Sequence, residues 1–386
     1  MNVAEIQHDL HELGIDGWLC YDFKGMNPVA ARFADMDGMM TRRLFVWVPA
    51  RGIPQAVVHR IDRNALGAFD GEIVEYTTWQ DLHARLETLV KGRRVAMEVS
   101  AENAVPYLDR VPAGVVQLIE RLGGSVVESA ALVTRFAARW SEAERDDHRQ
   151  AAEALAEIAK TTLGWLIREA GRATELEVQR AVLAAMRDAG LETDDPPIVA
   201  FGAHSADPHY APSTGSNATL AAGDVVLLDL WGRRSAHTVW ADQTWMAFAG
   251  ASPREDVARV WEAVRAARDA VIATLRSEVA VGAVLRGARL DDAAREVLVA
   301  RGYGDQFTHR TGHSIDLDLH GSGPHLDNFE TRDVRELMPG VGFSIEPGVY
   351  LPGRFGIRSE VNALLTASGV EVTPAAPQER LIVLLP

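Results

Sequence analysis

The feature of this sequence that most constrains its fold is a set of carboxylates in strongly apolar segments. Residues 223–229 have the sequence GDVVLLD, so a strand apolar enough to be buried ends in Asp229. A buried carboxylate without a partner is very unfavourable, so Asp229 needs a cation, hydrogen-bond donors or an exposed strand end. Considered alone, Asp229 fits an exposed strand end as well as it fits a buried site.

Asp242 follows Asp229 after a turn predicted at residues 232–235, which are Gly-Arg-Arg-Ser. A hairpin over this span can place the two carboxylates side by side, where each raises the pKa of the other unless a metal lies between them. The pair therefore indicates a functional site more strongly than either residue does.

Histidines cluster in residues 309–320, HRTGHSIDLDLH, which include His309, His313 and His320. One histidine in such a segment is more often structural, but three in a loop-like stretch favour a site. Gly312 allows the backbone to pass close to a ligand. This segment is therefore a second source of candidate site residues.

Two glutamates follow further along the chain. Glu346 ends the apolar residues 343–345 and is followed at once by Pro-Gly, which indicates a sharp turn after an inward-facing charge. Arg358 and Glu360 lie in a strand predicted at residues 357–365, where they point to the same face. A plain ion pair between them is an equally good interpretation.

Together these segments supply four carboxylates and one imidazole as candidate metal ligands, which are Asp229, Asp242, His313, Glu346 and Glu360. Two divalent cations are the simplest way to make the burial of these groups tolerable. Oxygen-rich ligands with a single imidazole favour manganese, cobalt or iron over a structural zinc, and zinc is a further alternative. Two such ions would activate water and polarise a carbonyl, which is hydrolytic chemistry.

The order of these five residues resembles the ligand signature of the pita-bread metallopeptidases, which include methionine aminopeptidases, Xaa-Pro aminopeptidases and prolidases. The matching blocks are Thr-Gly-His at residues 311–313, Ile-Glu-Pro-Gly at 345–348 and Ile-Arg-Ser-Glu at 357–360. Residues 201–210, FGAHSADPHY, resemble the block that supplies the substrate-side histidine of the family. The similarity covers the whole chain and favours the Xaa-Pro peptidase branch, because methionine aminopeptidases lack the amino-terminal domain.

The resemblance implies an α+β fold with two domains. Residues 1–138 would form an α/β domain like those of creatinase and prolidase, and residues 139–386 would form the pita-bread catalytic domain. The pattern of elements agrees with this division. Short strands and helices alternate as far as about residue 135, and from Ser141 onwards a pair of helices followed by strands is predicted twice. The helix from Ser141 is predicted to end near Ala170, a later helix is predicted to have Pro253 at its first position, and the last strand is predicted at residues 381–385.

The resemblance also implies a part for each metal ligand. Asp229 would chelate one ion, and Asp242 and Glu360 would bridge both ions. His313 and Glu346 would complete the ligands of the second ion.

By the same resemblance, four residues would act in catalysis. Glu346 would move a proton as well as bind metal. His209 and His320 would face the substrate, and His320 would support the developing gem-diolate. Arg358 would hold the bridging carboxylates or His320 in place, as outer residues do at metal sites in general.

Three blocks beside the ligands depart from the family pattern. Residues 229–232 are Asp-Leu-Trp-Gly where Asp-x-Gly is usual, and residues 242–245 are Asp-Gln-Thr-Trp where Asp-Ile-Thr-Arg is usual. Residues 320–324 are His-Gly-Ser-Gly-Pro where His-Glu-x-Pro is common. The ligands are retained, so hydrolysis is still predicted, whereas the altered pocket walls bear on which substrate fits.

The predicted activity is that of an Xaa-Pro dipeptidase, because the connection between Glu346 and Glu360 is short. Its substrate would be a proline-containing dipeptide or short peptide, and Arg332, Arg335 and Arg354 are candidates for binding the substrate carboxylate. An Xaa-Pro aminopeptidase with an open leaving side is the alternative. A metal-free creatinase-like hydrolase and a non-catalytic binding module are less favoured, because neither needs five intact ligands.

The composition restricts the partners. The chain has 39 basic and 54 acidic residues and a net charge of −15, which argues against nucleic acid or an anionic membrane as its main partner. The single cysteine, Cys20, forms no intramolecular disulfide. No signal-peptide pattern is visible and no apolar window approaches about 18 residues, so a cytoplasmic enzyme is predicted. The family resemblance implies a homodimer.

Overall fold

A computed structural model describes residues 2–169 and 171–384 of the chain. The chain divides into two units, residues 1–137 and 138–386. Ala170, the predicted end of a long helix, and Leu385, the predicted end of the last strand, lie outside the described residues. The assignment of residues 1–138 and 139–386 to the two domain types stays a prediction.

The amino-terminal unit consists of short strands and helices that alternate along the chain. In chain order the α-helices and strands are α1 (Val3–Glu12), β1 (Gly17–Phe23), α2 (Pro28–Ala34), β2 (Arg43–Pro49), β3 (Gln55–His59), β4 (Glu72–Tyr76), α3 (Trp79–Val90), β5 (Arg94–Met97), α4 (Ala113–Arg121), β6 (Ser125–Glu128) and α5 (Ala130–Phe136). The strands form one mixed sheet in the order β4-β3-β2-β1-β5-β6.

Both faces of this sheet are covered, which explains why its central strands are almost continuously apolar. In β1, Trp18 and Cys20 belong to a hydrophobic cluster with α1 and α2. Leu19 and Tyr21 belong to a second cluster with α3 and α4. Cys20 is buried and its thiol is free, as expected for a small core residue.

The carboxyl-terminal unit begins with a helix pair, continues with strands, and then repeats this order. Its α-helices and strands are α6 (Glu142–Glu169), α7 (Glu175–Asp188), β7 (Ile198–Phe201), β8 (Val225–Gly232), β9 (Ala241–Phe248), α8 (Glu255–Ala280), β10 (Leu285–Arg286), α9 (Gly287–Ala300), β11 (Ser314–Ile315), β12 (Glu336–Leu337), β13 (Gly342–Ile345), β14 (Gly348–Leu351), β15 (Phe355–Arg358), β16 (Val361–Thr366), β17 (Gly369–Thr373) and β18 (Ile382–Val383). The predicted α+β class is confirmed.

The two largest hydrophobic clusters of this unit lie on opposite faces of the sheet β18-β9-β8-β7. In β8, Val226 and Leu228 belong to the cluster that contains α6 and α7. Val225 and Leu227 belong to the cluster that contains α8, α9 and the strands β13, β15 and β16. Because alternate residues of β8 face opposite clusters, the strand that carries Asp229 lies between the helix pair α6–α7 and the helix pair α8–α9.

Two predicted element boundaries are wrong. Pro253 does not occupy the first helical position, because α8 begins at Glu255 with Arg254 as its N-cap, and the acidic first turn suits the positive end of the helix dipole. The strand predicted at residues 357–365 is two strands, because β15 pairs with β14 whereas β16 pairs with β13. The chain changes partners at Ser359 and Glu360, between the two strands.

The long helices are amphipathic. In α8, Val257, Val264 and Val271 are buried, whereas Arg259 and Glu262 are exposed. Within the part of the chain that the structure describes, no helix combines the length and the apolar character that crossing a membrane requires.

His148 of α6 is a buried histidine that ties this helix to two other elements. Its Nδ1 lies 2.7 Å from the carbonyl oxygen of Trp240, and its Nε2 lies 2.8 Å from Oγ1 of Thr373. Burial lowers the pKa of His148 to about 4, from an ordinary value of 6.5. The unfolded chain therefore binds a proton at His148 between these two pH values, while the folded chain stays neutral there.

We expect the stability that depends on a neutral His148 to be complete above pH 6.5 and to be lost as the pH falls toward 4. The loss at pH 5 should be about 2 kcal/mol in the free energy of unfolding. Urea unfolding at pH 7.5 and pH 5 of the wild type and of His148→Gln would measure it, since the variant lacks this loss. The matched control is His237→Gln, at an exposed position. An equal pH dependence in wild type and His148→Gln would contradict the expectation.

Candidate metal centre

The predicted hairpin delivers the first two carboxylates to one face. In the pairing of β8 with β9, Asp229 lies opposite Thr244 and Asp242 lies opposite Trp231. Opposite residues of a strand pair share a face, and so do residues two apart along one strand. Asp229 and Asp242 are therefore diagonal neighbours on the same face, and they are only 5% and 6% exposed.

The centre of the site is formed by Asp242, His313 and Glu360. Each offers a ligand-type atom, and these atoms all lie within 4.8 Å of one another. Nε2 of His313 lies 3.5 Å from Oδ2 of Asp242 and 3.5 Å from Oε1 of Glu346. Glu346 therefore belongs to the same cluster.

Asp229 is connected to this cluster through Thr244 and Arg358. The hydroxyl oxygen of Thr244 lies 2.9 Å from Oδ1 of Asp229 and 2.8 Å from Oε2 of Glu360. Nη2 of Arg358 forms a close ion pair with Oδ2 of Asp229, and its Nε donates to Thr244 over 2.8 Å. Nε of Arg358 also lies 4.0 Å from Oε2 of Glu360. The two side chains are therefore close, as the same-face interpretation predicts, although the residues are not in one strand.

The segment with His313 is held against β13 at close range. A Cβ atom on Gly312 would lie 2.0 Å from the carbonyl oxygen of Ser344, so this approach requires glycine. The main-chain N–H of His313 donates to Oγ of Ser344 over 2.9 Å, and this hydroxyl donates to Oε1 of Glu346 over 3.0 Å. One serine thus places a histidine and a glutamate beside each other.

The buried carboxylates shift one another's acidity. Burial is the main cause that raises the pKa of Asp242 and of Glu360, and the neighbouring carboxylates raise both pKa values further. Burial also acts on Glu346, but the charges of His313 and Arg358 bring the pKa of Glu346 below its usual value. The positive side chains of the cluster therefore do not fully neutralise its carboxylates.

Two oxygen atoms of the cluster, Oδ1 of Asp242 and Oε1 of Glu360, are buried and have no hydrogen-bond partner among the described residues. Buried polar atoms in proteins are nearly always paired. Carboxylate oxygens together with one imidazole nitrogen are suitable ligands for a hard or borderline divalent cation. The residues present therefore fit a divalent metal ion.

The two predicted substrate-side histidines are both exposed, but only His320 lies beside a predicted ligand. The ring centroid of His320 is 4.3 Å from that of His313, whose charge is the main cause that lowers the pKa of His320 to about 3. His209 is exposed, its main-chain N–H donates to Asp207, and its charge also acts on His320. Among the described residues, the side chain of His209 forms no hydrogen bond or ion pair with the predicted ligands.

Thr244, Ser344 and Tyr350 are site residues that sequence reasoning missed. The hydroxyl of Tyr350 lies 2.8 Å from Nε2 of His309, and the charge of Arg358 acts on the pKa of this hydroxyl. Thr244 stands two positions after Asp242 on β9, and Ser344 of β13 stands two positions before Glu346, which follows the end of that strand. The period of two along a strand could therefore have indicated both residues. They were overlooked because uncharged residues in apolar segments carry no sign of a site.

Comparisons with known proteins bear on this centre. The model of metallopeptidase family M24 matches residues 146–367. A probable dipeptidase PepE of Mycobacterium tuberculosis is 29% identical over 341 residues, which is 87% of this chain and 84% of that protein. An Xaa-Pro dipeptidase of Lactobacillus delbrueckii subsp. lactis is 25% identical over 390 residues, which is 96% of this chain and 95% of that protein.

Solved structures show the same fold. The dipeptidase PepE from Mycobacterium ulcerans has a TM-score of 0.80 at 24% identity and covers 100% of this chain and 97% of its own. The Xaa-Pro dipeptidase from Bacillus anthracis has a TM-score of 0.73 at 24% identity, with 99% of each chain covered. The predicted pita-bread fold is confirmed by these likenesses. The chain is thus similar in sequence to enzymes of the Xaa-Pro peptidase branch, and it belongs to metallopeptidase family M24 as a metallo-exopeptidase with the pita-bread fold.

Proposed function

We propose that this chain is an Xaa-Pro dipeptidase that uses two divalent metal ions to hydrolyse the bond before the proline of a dipeptide. The observation that carries the proposal is the group of Asp242, His313 and Glu360, in which two buried carboxylate oxygens have no hydrogen-bond partner among the described residues. Relatives named as a probable dipeptidase and an Xaa-Pro dipeptidase support the substrate class. The oxygen-rich ligands favour manganese as the metal.

The family resemblance implies how the five proposed ligands would divide between the two ions. Asp229 would bind one ion, Asp242 and Glu360 would bridge both, and His313 and Glu346 would complete the second. Divalent cations at this place supply Lewis-acid polarisation of the scissile carbonyl and lower the pKa of water.

Proton transfer would fall to Glu346. The bond before proline is a tertiary amide, and its nitrogen must gain a proton in order to leave as a free amine. The carboxylate of Glu346 is held by the hydroxyl of Ser344 and lies beside His313, so it is positioned to carry that proton. Such general acid–base steps contribute about 10²- to 10⁴-fold to rates.

The two substrate-side histidines would act on the other side of the carbonyl. His320 stands beside His313 and would donate a hydrogen bond to the oxyanion as it develops. His209 is exposed on the loop before Tyr210 and would contact the substrate. Arg358 would keep Asp229 oriented through their ion pair.

A dipeptidase needs a cation for the substrate carboxylate, and two of the three predicted candidates are already engaged. Arg335 pairs with Asp333 over 2.6 Å and donates to the carbonyls of residues 322 and 323. Arg354 pairs with Asp256 over 2.8 Å. Arg332 is exposed and has no ion-pair partner within the described residues, so we propose it for this part.

The test compares hydrolysis of Ala-Pro and Ala-Pro-Ala by the full chain with added manganese. We expect kcat/KM for the dipeptide to be about tenfold higher or more, because a charge-assisted hydrogen bond to the carboxylate is worth about 1.5–3 kcal/mol. Arg332→Gln should raise KM for Ala-Pro by a similar factor, while the control Arg354→Gln should not.

Two other outcomes would replace this proposal. Tripeptide turnover well above dipeptide turnover would indicate an Xaa-Pro aminopeptidase with the same metal centre. Full activity after chelator treatment and dialysis, with no bound transition metal, would indicate a metal-free hydrolase of the creatinase type. The buried carboxylate oxygens of Asp242 and Glu360 argue against that second outcome.

We also propose that the protein is a cytoplasmic homodimer with a creatinase-type domain at residues 1–138. The family resemblance supports the homodimer and the domain type. The free, buried thiol of Cys20 suits a reducing compartment. Light scattering of the purified chain would test the oligomeric state.

A further inference from the structure

Thr244 lies where three buried side chains of the metal centre meet. It stands on β9 directly opposite Asp229 and is only 2% exposed. Its hydroxyl oxygen is 2.9 Å from Oδ1 of Asp229, 2.8 Å from Oε2 of Glu360 and 2.8 Å from Nε of Arg358. One uncharged residue therefore contacts two predicted ligands and the arginine beside them.

The chemistry of these groups fixes the direction of each hydrogen bond. The guanidinium of Arg358 can only donate, so the hydroxyl oxygen of Thr244 accepts from it. Ionised carboxylate oxygens can only accept, so the single hydroxyl proton goes to Asp229 or to Glu360. Because Arg358 occupies the acceptor side of the hydroxyl, that proton is directed toward the carboxylates.

The hydrogen bond from Thr244 also determines which oxygen of Glu360 has no hydrogen-bond partner among the described residues. Thr244 engages Oε2 of Glu360, and Oε1 of the same group is buried without a hydrogen-bond partner among the described residues. Glu360 is one of the three residues whose ligand-type atoms lie within 4.8 Å of one another. With Oε2 held by Thr244, Oε1 is the oxygen of Glu360 that a cation could bind.

We propose that Thr244 is a positioning residue of the metal centre: its hydroxyl orients the carboxylates of Asp229 and Glu360 so that the site is assembled before metal binds. This inference rests on the proposed metal-dependent function. Partners of this kind around ligands change metal affinity by about 10- to 100-fold when removed. The β-branched side chain suits the strand, and its methyl group restricts the rotation of the hydroxyl.

The test measures Mn²⁺ affinity of the full chain by competition with a chromogenic chelator. Valine has the shape of threonine without the hydroxyl, whereas serine keeps the hydroxyl without the methyl group. We expect Thr244→Val to weaken Mn²⁺ binding about 10- to 100-fold and Thr244→Ser to stay within about threefold of the wild type. The control is Thr366→Val, whose hydroxyl donates to the carbonyl of Gly369.

The Co²⁺ absorption spectrum gives a second readout that is independent of activity. It should change in intensity or position in Thr244→Val and be restored in Thr244→Ser. If the valine variant does not fold, Thr244→Ala compared with Thr244→Ser answers the same question. Wild-type affinity in Thr244→Val, or equally weak binding in the serine and valine variants, would overturn the assignment. A wild type that binds no Mn²⁺ would instead overturn the proposed metal-dependent function, and the assignment with it.

Discussion

Asp242→Asn is expected to abolish metal binding and peptide hydrolysis while making the metal-free protein more stable. Asp242 is central to the candidate site, because it shares the 4.8 Å group with His313 and Glu360 and its Oδ1 is buried without a hydrogen-bond partner among the described residues. Metal ions contribute several kcal/mol of transition-state stabilisation, so kcat/KM should fall by about 10³-fold or more.

The gain in stability in chelator follows from the repulsion among the carboxylates when no cation neutralises them. Burial raises the pKa of Asp242, and the charge of Asp229 raises it further. Asparagine removes this repelled charge, so the free energy of unfolding in chelator should rise by on the order of 1–3 kcal/mol at neutral pH. A buried acid with a raised pKa destabilises the folded state as the pH rises, so the advantage of the variant should shrink as the pH is lowered.

Metal content, kinetics and urea unfolding in chelator would be measured for wild type, Asp242→Asn and the exposed control Asp195→Asn. The control should behave like the wild type in all three. Retained Mn²⁺ binding by Asp242→Asn would remove this residue from the ligand set. Metal loss accompanied by a drop in metal-free stability would show that Asp242 has a structural partner that the electrostatic argument lacks.

Two of the proposed ligands could be predicted from the sequence because each of them breaks a local rule. Asp229 and Glu346 end segments that should be buried, and a charge in such a place demands an explanation. Asp242 and Glu360 became candidates only in combination with the other residues and through the order of the five ligands in the family. The core faces of β8 were predictable for the related reason that alternate apolar residues must face two different layers.

The partners of the ligands could not be predicted, because they depend on strand register. A hairpin between residues 229 and 242 can be paired in more than one register, and only the observed one puts Thr244 opposite Asp229. Strand pairing also explains why the strand predicted at residues 357–365 is two strands. The part before Ser359 pairs with β14, and the part after Glu360 pairs with β13. Periodicity along one segment contains no information about which strand lies beside it.

Long cationic side chains were the least predictable elements. Arg335 and Arg354 are near the site in sequence, but each is occupied by a carboxylate that sequence position does not reveal, namely Asp333 and Asp256. Arg358 was predicted to support the bridging carboxylates, and it lies 4.0 Å from Glu360. Its close ion pair, however, is with Asp229. The partner of a long arginine side chain therefore cannot be predicted from its position in the sequence.

Arg358→Met is expected to cause the largest loss of stability among substitutions at the site. Arg358 is 5% exposed, pairs with Asp229 and donates to Thr244. Removing one partner of a buried ion pair leaves an uncompensated charge, which costs about 3–5 kcal/mol in the free energy of unfolding. Methionine fills a similar space with a flexible apolar chain, so a cavity contributes little to the loss.

A double-mutant cycle with Asp229→Asn separates this charge effect from lost packing. If the uncompensated carboxylate of Asp229 causes the loss, the double variant should be more stable than the sum of the single variants predicts, by about 0.5–3 kcal/mol in chelator. Arg149→Met is the matched control, because Arg149 is paired with Glu371 but is 41% exposed, and such pairs contribute about 1 kcal/mol or less. Additive effects of Arg358→Met and Asp229→Asn would mean that the two charges do not stabilise each other. The four carboxylates of the site would then need a different source of compensation before metal binds. The cluster of Asp242, Glu346 and Glu360 around His313 would have to be stable without the neighbouring arginine.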